Sequence, residues 1–273
     1  MTNDATLVVA VPVAVGLAEE VGASPGLVAA LTASYINYGS SLLPFGSPQN
    51  LLIWDAYRPP LPVFVEATAP LVAVGSLLLA AWSRVVLPGA EPPPPRRQPR
   101  VHRGLAALGA LAVGLVASGE MLGHRVACSL AAVALAAAAL GPRLPGLLDL
   151  GLVAILGLMV SVFTYLGRLA VHAAPWLVAG GPLETYLSSL ALSQVVSNVP
   201  AAAIYVAAHA PWRPLLLGVD AAGPMLVTGS LANIIALRLS RGSVREMHRA
   251  QLPPAAATAA LVAVLVAAGA AAR

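Results

Sequence analysis

Apolar runs dominate the chain, and their interruptions carry most of its information. Several runs are about 16 to 24 residues long, enough to cross a hydrocarbon core of roughly 30 Å. Residues 61–82, 104–118, 125–140, 148–171 and 255–268 read as continuous spanning segments. Elsewhere the pattern is broken by small polar residues, glycine and proline. The run over 183–208 is interrupted at Ser197, Asn198 and Pro200; that over 215–239 is interrupted by D-A-A-G-P at 220–224 and by T-G-S at 228–230. In the first half, a run from Leu27 meets Gly39, Pro44, Gly46 and Pro48, and resumes at 51–54. The chain opens with Thr2, Asn3 and Asp4 set against an apolar run of about a dozen residues, too short to span. Such breaks free backbone carbonyls and amides at membrane depth, which is tolerable only where they face a cavity, an ion or a substrate.

Composition fixes the class. Hydrophobic residues make up 59% of the chain and charged residues 10%, against roughly 25% charged in ordinary globular proteins; the mean hydropathy is +0.84. The predicted fold is all-α, a polytopic membrane protein of the plasma membrane surrounded by lipid. The net charge of +4 comes from arginines clustered in loops, which the positive-inside rule explains better than nucleic-acid binding. A single cysteine, Cys128, excludes an intramolecular disulfide and reads as a small buried apolar residue. No positively charged n-region precedes Leu7, so no cleavable signal peptide is expected. The five histidines are scattered and assigned to solvated loops; there is no H-E-x-x-H, G-x-S-x-G or glycine-rich phosphate loop. An enzyme is therefore not expected, nor any cofactor beyond sodium or a proton as coupling ion.

The Pro/Arg-rich stretch 88–103 reads as an extended cytoplasmic linker. It separates a partial first repeat, residues 1–87 (half a hairpin, a broken helix and one span), from a complete second repeat, 104–273. Both halves use one grammar: T-N-D-A answers S-N-V-P, Asn37 aligns with Asp220, Gly46-Ser47 with Gly229-Ser230, and Asn50 with Asn233. Charge then sets topology. With the linker inside, three spans put His172 outside. A re-entrant hairpin turning at Ser197-Asn198 and one crossing return Arg238, Arg241, Arg245 and Arg249 to the inside. The same counting backwards puts Asp55 and Arg58 outside and Glu19 and Glu20 inside. The two hairpins then enter from opposite faces, the arrangement of inverted repeats.

Hydroxyl, amide and freed carbonyl oxygens at such breaks suit a partly dehydrated alkali cation, and half-helix N-termini suit an anion. Thr2 and Asn3 are expected to form one site with Ser40, Ser41 and Asn50, and Ser197 and Asn198 another with Thr228, Ser230 and Asn233. Asn37, Gly46, Ser47, Gly223 and Gly229 complete the set. Each alone could equally be a helix cap or an interhelical hydrogen bond; the duplication favours a site. Asp4 and Asp220 are the acids expected within the membrane, where a carboxylate marks an ion or proton pathway or else caps a half-helix. Asp220 occupies a break itself. Asp149, Glu120 and Glu184 read as interfacial.

At these residues the sequence resembles the ion-transporter superfamily, which includes arsenite/antimonite permeases, a class of sodium–proton antiporters, and citrate and dicarboxylate carriers. M-T-N-D-A-T-L-V-V-A-V-P resembles its first hairpin tip, S-S-L-L-P-F-G-S-P-Q-N-L-L-I-W its first broken helix and S-N-V-P-A its second tip. G-P-M-L-V-T-G-S-L-A-N-I-I-A-L resembles the arsenite-permease form of the second broken helix. The resemblance implies a secondary transporter, usually a homodimer, moving an anion or oxyanion against a sodium or proton gradient by an elevator-like motion. Two other readings accompany it: an arsenite/antimonite efflux permease, and a truncated, non-transporting membrane remnant. The family carries further membrane segments before the Thr-Asn motif, whereas Met1 directly precedes it here. An N-terminally truncated version, lacking roughly 90 residues by comparison with the second repeat, is the expectation.

Overall fold

The computed structural model describes residues 3–87, 124–141 and 180–269, with isolated positions between 104 and 169 and some side chains excepted, those of residues 4 and 5 among them. All regular structure among these residues is helical. The chain divides into two units, one from residues 1–93 and 157–273 and one from residues 94–156. The expected linker at 88–103 and the expected spans at 104–118 and 148–171 lie wholly or largely outside the described residues.

In the first unit, α1 (Asn3–Glu20), α2 (Pro25–Ser41), α3 (Pro48–Tyr57) and α4 (Leu61–Val86) come from the first half of the sequence. The smaller unit contributes α5 (Arg125–Leu140), where Cys128 is half-buried beside Gly119. Back in the first unit come α6 (Pro182–Val196), α7 (Asn198–Ala207), α8 (Trp212–Ala222), a 3-10 turn (Val227–Gly229), α9 (Leu231–Ser240) and α10 (Val244–Ala267).

Local chemistry sets the boundaries. Ser24 caps α2 by accepting from Leu27 N–H, with Pro25 at the first helical position, where its missing donor costs nothing. Pro48 likewise stands at the first helical position of α3, although Ser47 before it makes no side-chain cap. The two interruptions read from the sequence are present: α2 stops at Ser41 and α3 resumes at Pro48, while α8 stops at Ala222 and α9 resumes at Leu231. A third falls at Ser197, whose φ of 75° turns the chain between α6 and α7.

Two elements differ from the sequence expectation. α1 is 18 residues long and runs through Pro12, further than the apolar run alone. The last helix begins at Val244, not at residue 255. Ser243 and Glu246 form a capping box that starts it, and it continues through Pro253 and Pro254. Pro253 cannot donate to the carbonyl of Arg249, four residues earlier; the indole Nε1 of Trp82 donates to that oxygen instead, at 3.2 Å.

Three apolar clusters hold the larger unit together. One joins α1, α2, α4, α9 and α10 around Leu7, Tyr38, Leu79 and Met247. Another joins α3, α4, α7 and α8 around Ile53, Phe64, Tyr205 and Leu215. The last sets Tyr186 of α6 and Leu71 of α4 against α8 and α10. The 26-residue α4 and the 24-residue α10 are long and apolar enough to cross a bilayer. Their outward faces leave Leu77 70% and Val264 65% exposed, which is unfavourable in water and ordinary in hydrocarbon.

Candidate functional site

The two breaks are built alike. In the first, Ser40 and Ser41 both donate to the carbonyl of Asn37 at 2.9 Å, closing the last turn of α2. The chain then doubles back so tightly that a Cβ on Gly46 would lie 2.0 Å from the Ser40 carbonyl oxygen. Ser47 precedes α3 in extended backbone (φ −145°, ψ 154°), and Asn50 Nδ2 reaches back to the Ser41 carbonyl at 3.2 Å. In the second, a Cβ on Gly229 would lie 2.7 Å from the Ala222 carbonyl oxygen. Ser230 precedes α9 with φ −148° and ψ 140° and caps Ala232 N–H. Asn233 Nδ2 reaches back to the carbonyls of Gly223 and Leu226 at 2.7 and 2.8 Å. Thus Asn50 and Asn233, each three residues after the serine that precedes a half-helix, play the same part and satisfy carbonyls that the broken helix has released.

The breaks also meet. Asn37, on the first, donates from Nδ2 to Asn233 Oδ1 at 3.2 Å and accepts from Ser230 Oγ at 3.4 Å. Asp220, on the second, accepts at Oδ1 from Gln49 Nε2 at 3.1 Å, with Ser41 and Asn50 beside its carboxylate. A Cβ on Gly223 would sit 3.5 Å from the Asn37 amide carbon, at ordinary van der Waals contact, so the two breaks lie against each other there. Asn3, at the start of α1, donates its backbone N–H to the Gly46 carbonyl at 2.9 Å and thereby joins the first break.

Four side-chain oxygens at this junction are buried and have no hydrogen-bond partner: Ser47 Oγ, Gln49 Oε1, Asn50 Oδ1 and Asp220 Oδ2. Three of them belong to the start of α3, and the fourth faces that turn across the Gln49 bond. Unpartnered buried acceptors are costly. One carboxylate among neutral oxygens is a donor set for a hard cation, not for a soft metal. No cluster of three or more His, Cys, Asp or Glu occurs among the described residues.

The remaining candidates lie elsewhere around the breaks. Asn198 is buried at the start of α7, which packs on α3 and α8, and Ser197 Oγ donates to its Oδ1 at 3.5 Å. Thr228 is exposed and donates to the Gln194 carbonyl at 2.7 Å, so it binds α6. Thr2 and the side chain of Asp4 lie outside the described residues.

Sequence reasoning passed over two glutamines. Gln49 sits inside G-S-P-Q-N yet supplies the bond to Asp220. Gln194 accepts from Leu226 N–H at 3.1 Å and donates to the Ala222 carbonyl at 3.2 Å, stitching α6 to the second break. Their signal was an uncharged amide placed in otherwise apolar sequence, a few residues from a glycine or serine.

A family model described as citrate transporter matches residues 1–228. The chain is 29% identical over 264 residues to the inner membrane protein YbiR of Escherichia coli (strain K12), an alignment covering 88% of this chain and 65% of that protein. It is 44% identical over 54 residues to the uncharacterized transporter MJ0456 of Methanocaldococcus jannaschii, covering 20% of this chain and 15% of that one. The chain therefore spans less than two thirds of the length of either relative.

Proposed function

The chain belongs to the citrate transporter family, and from that premise we propose that it is a secondary active transporter. It moves a small carboxylate-like anion or oxyanion, coupled to sodium or protons by alternating access. One observation carries the reading: the orphaned oxygens of Ser47, Gln49, Asn50 and Asp220, buried where two helix breaks meet. A sodium ion, or a proton on Asp220, satisfies oxygens that are otherwise unpaired.

Coupling then has a physical basis. No arginine stands among the described residues of the site, so the positive pole for an anion comes from the half-helix N-termini of α3 and α9 and from the bound cation. Cation first, anion second is the favoured order, because the ion offsets the Asp220 charge that would repel the substrate. The matched geometry of the two breaks, with Asn37 bonded to the second and Asp220 to the first, supports an inverted repeat. The first hairpin would include Asn3 and Asp4, the second Ser197 and Asn198. Exposed Arg238, Arg241, Arg245 and Arg249 near the junction of α9 and α10 fit a cytoplasmic face. A multi-pass homodimer in the plasma membrane completes the reading.

An arsenite/antimonite efflux permease is the second reading. The arginine-free site favours it, since arsenous acid is uncharged near neutral pH and needs no cationic clamp.

The test is uptake into proteoliposomes by the full reading frame, with citrate, succinate, sulfate and arsenite offered in turn under a sodium gradient, a pH gradient or neither. Gradient-dependent uptake of citrate or succinate supports a carboxylate carrier, and arsenite movement alone supports the second reading. Absence of flux for all four under both gradients leaves a non-transporting membrane protein and overturns the proposal.

A further inference from the structure

The turn between α8 and α9 is also held by a residue that can change charge. His248, early in α10, is half-buried, and its Nε2 accepts the backbone N–H of Val227 at 3.2 Å. Val227 opens the 3-10 turn that carries Thr228 and leads into Ser230. An amide at the start of a helical turn has no partner inside it, so the ring nitrogen satisfies a donor the turn cannot. An imidazole accepts at Nε2 only while its proton resides on Nδ1; the protonated ring has two donors and no acceptor.

We propose that His248 is a proton-sensitive latch on the second helix break: neutral, it fixes the 227–229 turn, and protonated, it must let go of Val227 and free the segment bearing Thr228 and Ser230. The other side chains bonded to this break are Gln194, Asn233, Asn37 and Gln251, which donates to the Met225 carbonyl at 3.0 Å. These are amides, and none titrates near neutral pH. His248 is thus the titratable partner of the break's backbone among the described residues.

Among the described residues no carboxylate lies within ion-pair distance of the ring. On α10 itself are Arg245, Arg249 and Glu246, and the glutamate is committed to Ser24 Oγ at 2.7 Å and to Ser243. α9 and its end bring Arg238 and Arg241. α4 brings Arg84 at the level where Trp82 meets Arg249, with Glu66 near its opposite end. α2 offers Tyr35 and Tyr38; α6 offers Glu184 and Tyr186, toward the end away from Gln194. α8 has Arg213 at its start, while Asp220 is turned to Gln49.

This inference goes beyond the transport reading and is independent of which ion the Asp220 oxygens take. Its test is amide hydrogen exchange on the full chain in nanodiscs, comparing peptides over 224–231 with those over the first break, 42–47, which has no histidine partner among the described residues. After correction for intrinsic exchange, protection at 224–231 is expected to fall roughly tenfold from about pH 8 to about pH 5.5, while 42–47 stays unchanged. His248→Gln supplies an acceptor oxygen that does not titrate, and its protection at 224–231 is expected to be flat over the same range. Equal protection of 224–231 at both pH values in the wild type overturns the latch, as does an undiminished fall in His248→Gln. If the variant does not fold, the wild-type comparison between the two breaks decides alone.

Discussion

Asp220 illustrates how a single side chain divides its labour. One oxygen takes the Gln49 amide, and the other is buried without a partner. Asp220→Asn retains size and an acceptor for Gln49 but removes the charge a cation would meet. Cation-driven uptake in proteoliposomes is expected to fall at least about tenfold, while thermal stability measured without sodium holds or rises, because an unpaired buried carboxylate is itself costly. Unchanged uptake would remove Asp220 from the coupling site. Asn233 has the opposite character. Its amide serves two buried carbonyls and bonds Asn37, so Asn233→Ala is expected to cost about 3 kcal/mol, read as a lowered melting temperature in detergent. Asn50→Ala strands the Ser41 carbonyl and is expected to cost less, about 1–2 kcal/mol. Asn37, Asn50, Asp220 and Asn233 were all legible as polar residues at breaks. Their pairing was not. Aligning the halves made Asn37 and Asp220 counterparts, but that each bonds to the opposite break is a contact across the fold, which no pattern along the sequence encodes.

The breaks depend as much on absent side chains as on present ones. At Gly46 a methyl group would collide with the Ser40 carbonyl, and backbone cannot step aside as a side chain can; at Gly39 a Cβ would meet nothing within 4 Å. Gly46→Ala is therefore expected to destabilise the protein by several kcal/mol, about 3 or more. Gly39→Ala, inside α2, is expected to stabilise by about 0.5–1 kcal/mol. The two melting curves measured side by side check the geometry of the first break, and comparable effects would contradict it. Both interruptions could be read ahead of the structure because glycine, proline and serine are local signals. The start of α10 could not be read from apolarity, since its first turns are rich in arginine and followed by two prolines. Its capping signal, S-V-R-E at 243–246, was available. What the sequence concealed was the compensation, with Trp82 of α4 supplying the donor that Pro253 lacks.

On the scale of the molecule, the proposed cation site would form only after residues far apart in sequence have met. Gln49 and Asp220 are separated by 171 positions and Asn37 and Asn233 by 196, so an unfolded chain offers the ion no comparable cage. Composition made the membrane class plain and the repeated motifs suggested two related halves, but neither indicated that one half would complete the other's donor set. A ligand bound by the folded state alone must stabilise that state. The gain is RT ln(1 + [L]/Kd), about 2.7 kcal/mol when the ion stands at one hundred times its Kd. For the full chain in detergent, the melting temperature is accordingly expected to climb with sodium at constant ionic strength, choline serving as the inert replacement. Asp220→Asn is expected to flatten that climb, and Thr228→Ala, whose hydroxyl is bonded to α6, to leave it intact. Equal melting in sodium and choline, together with uptake driven by a pH gradient, would assign the coupling to protons. A sodium-dependent rise that survives Asp220→Asn would place the ion away from these oxygens and remove the observation on which the transport reading stands.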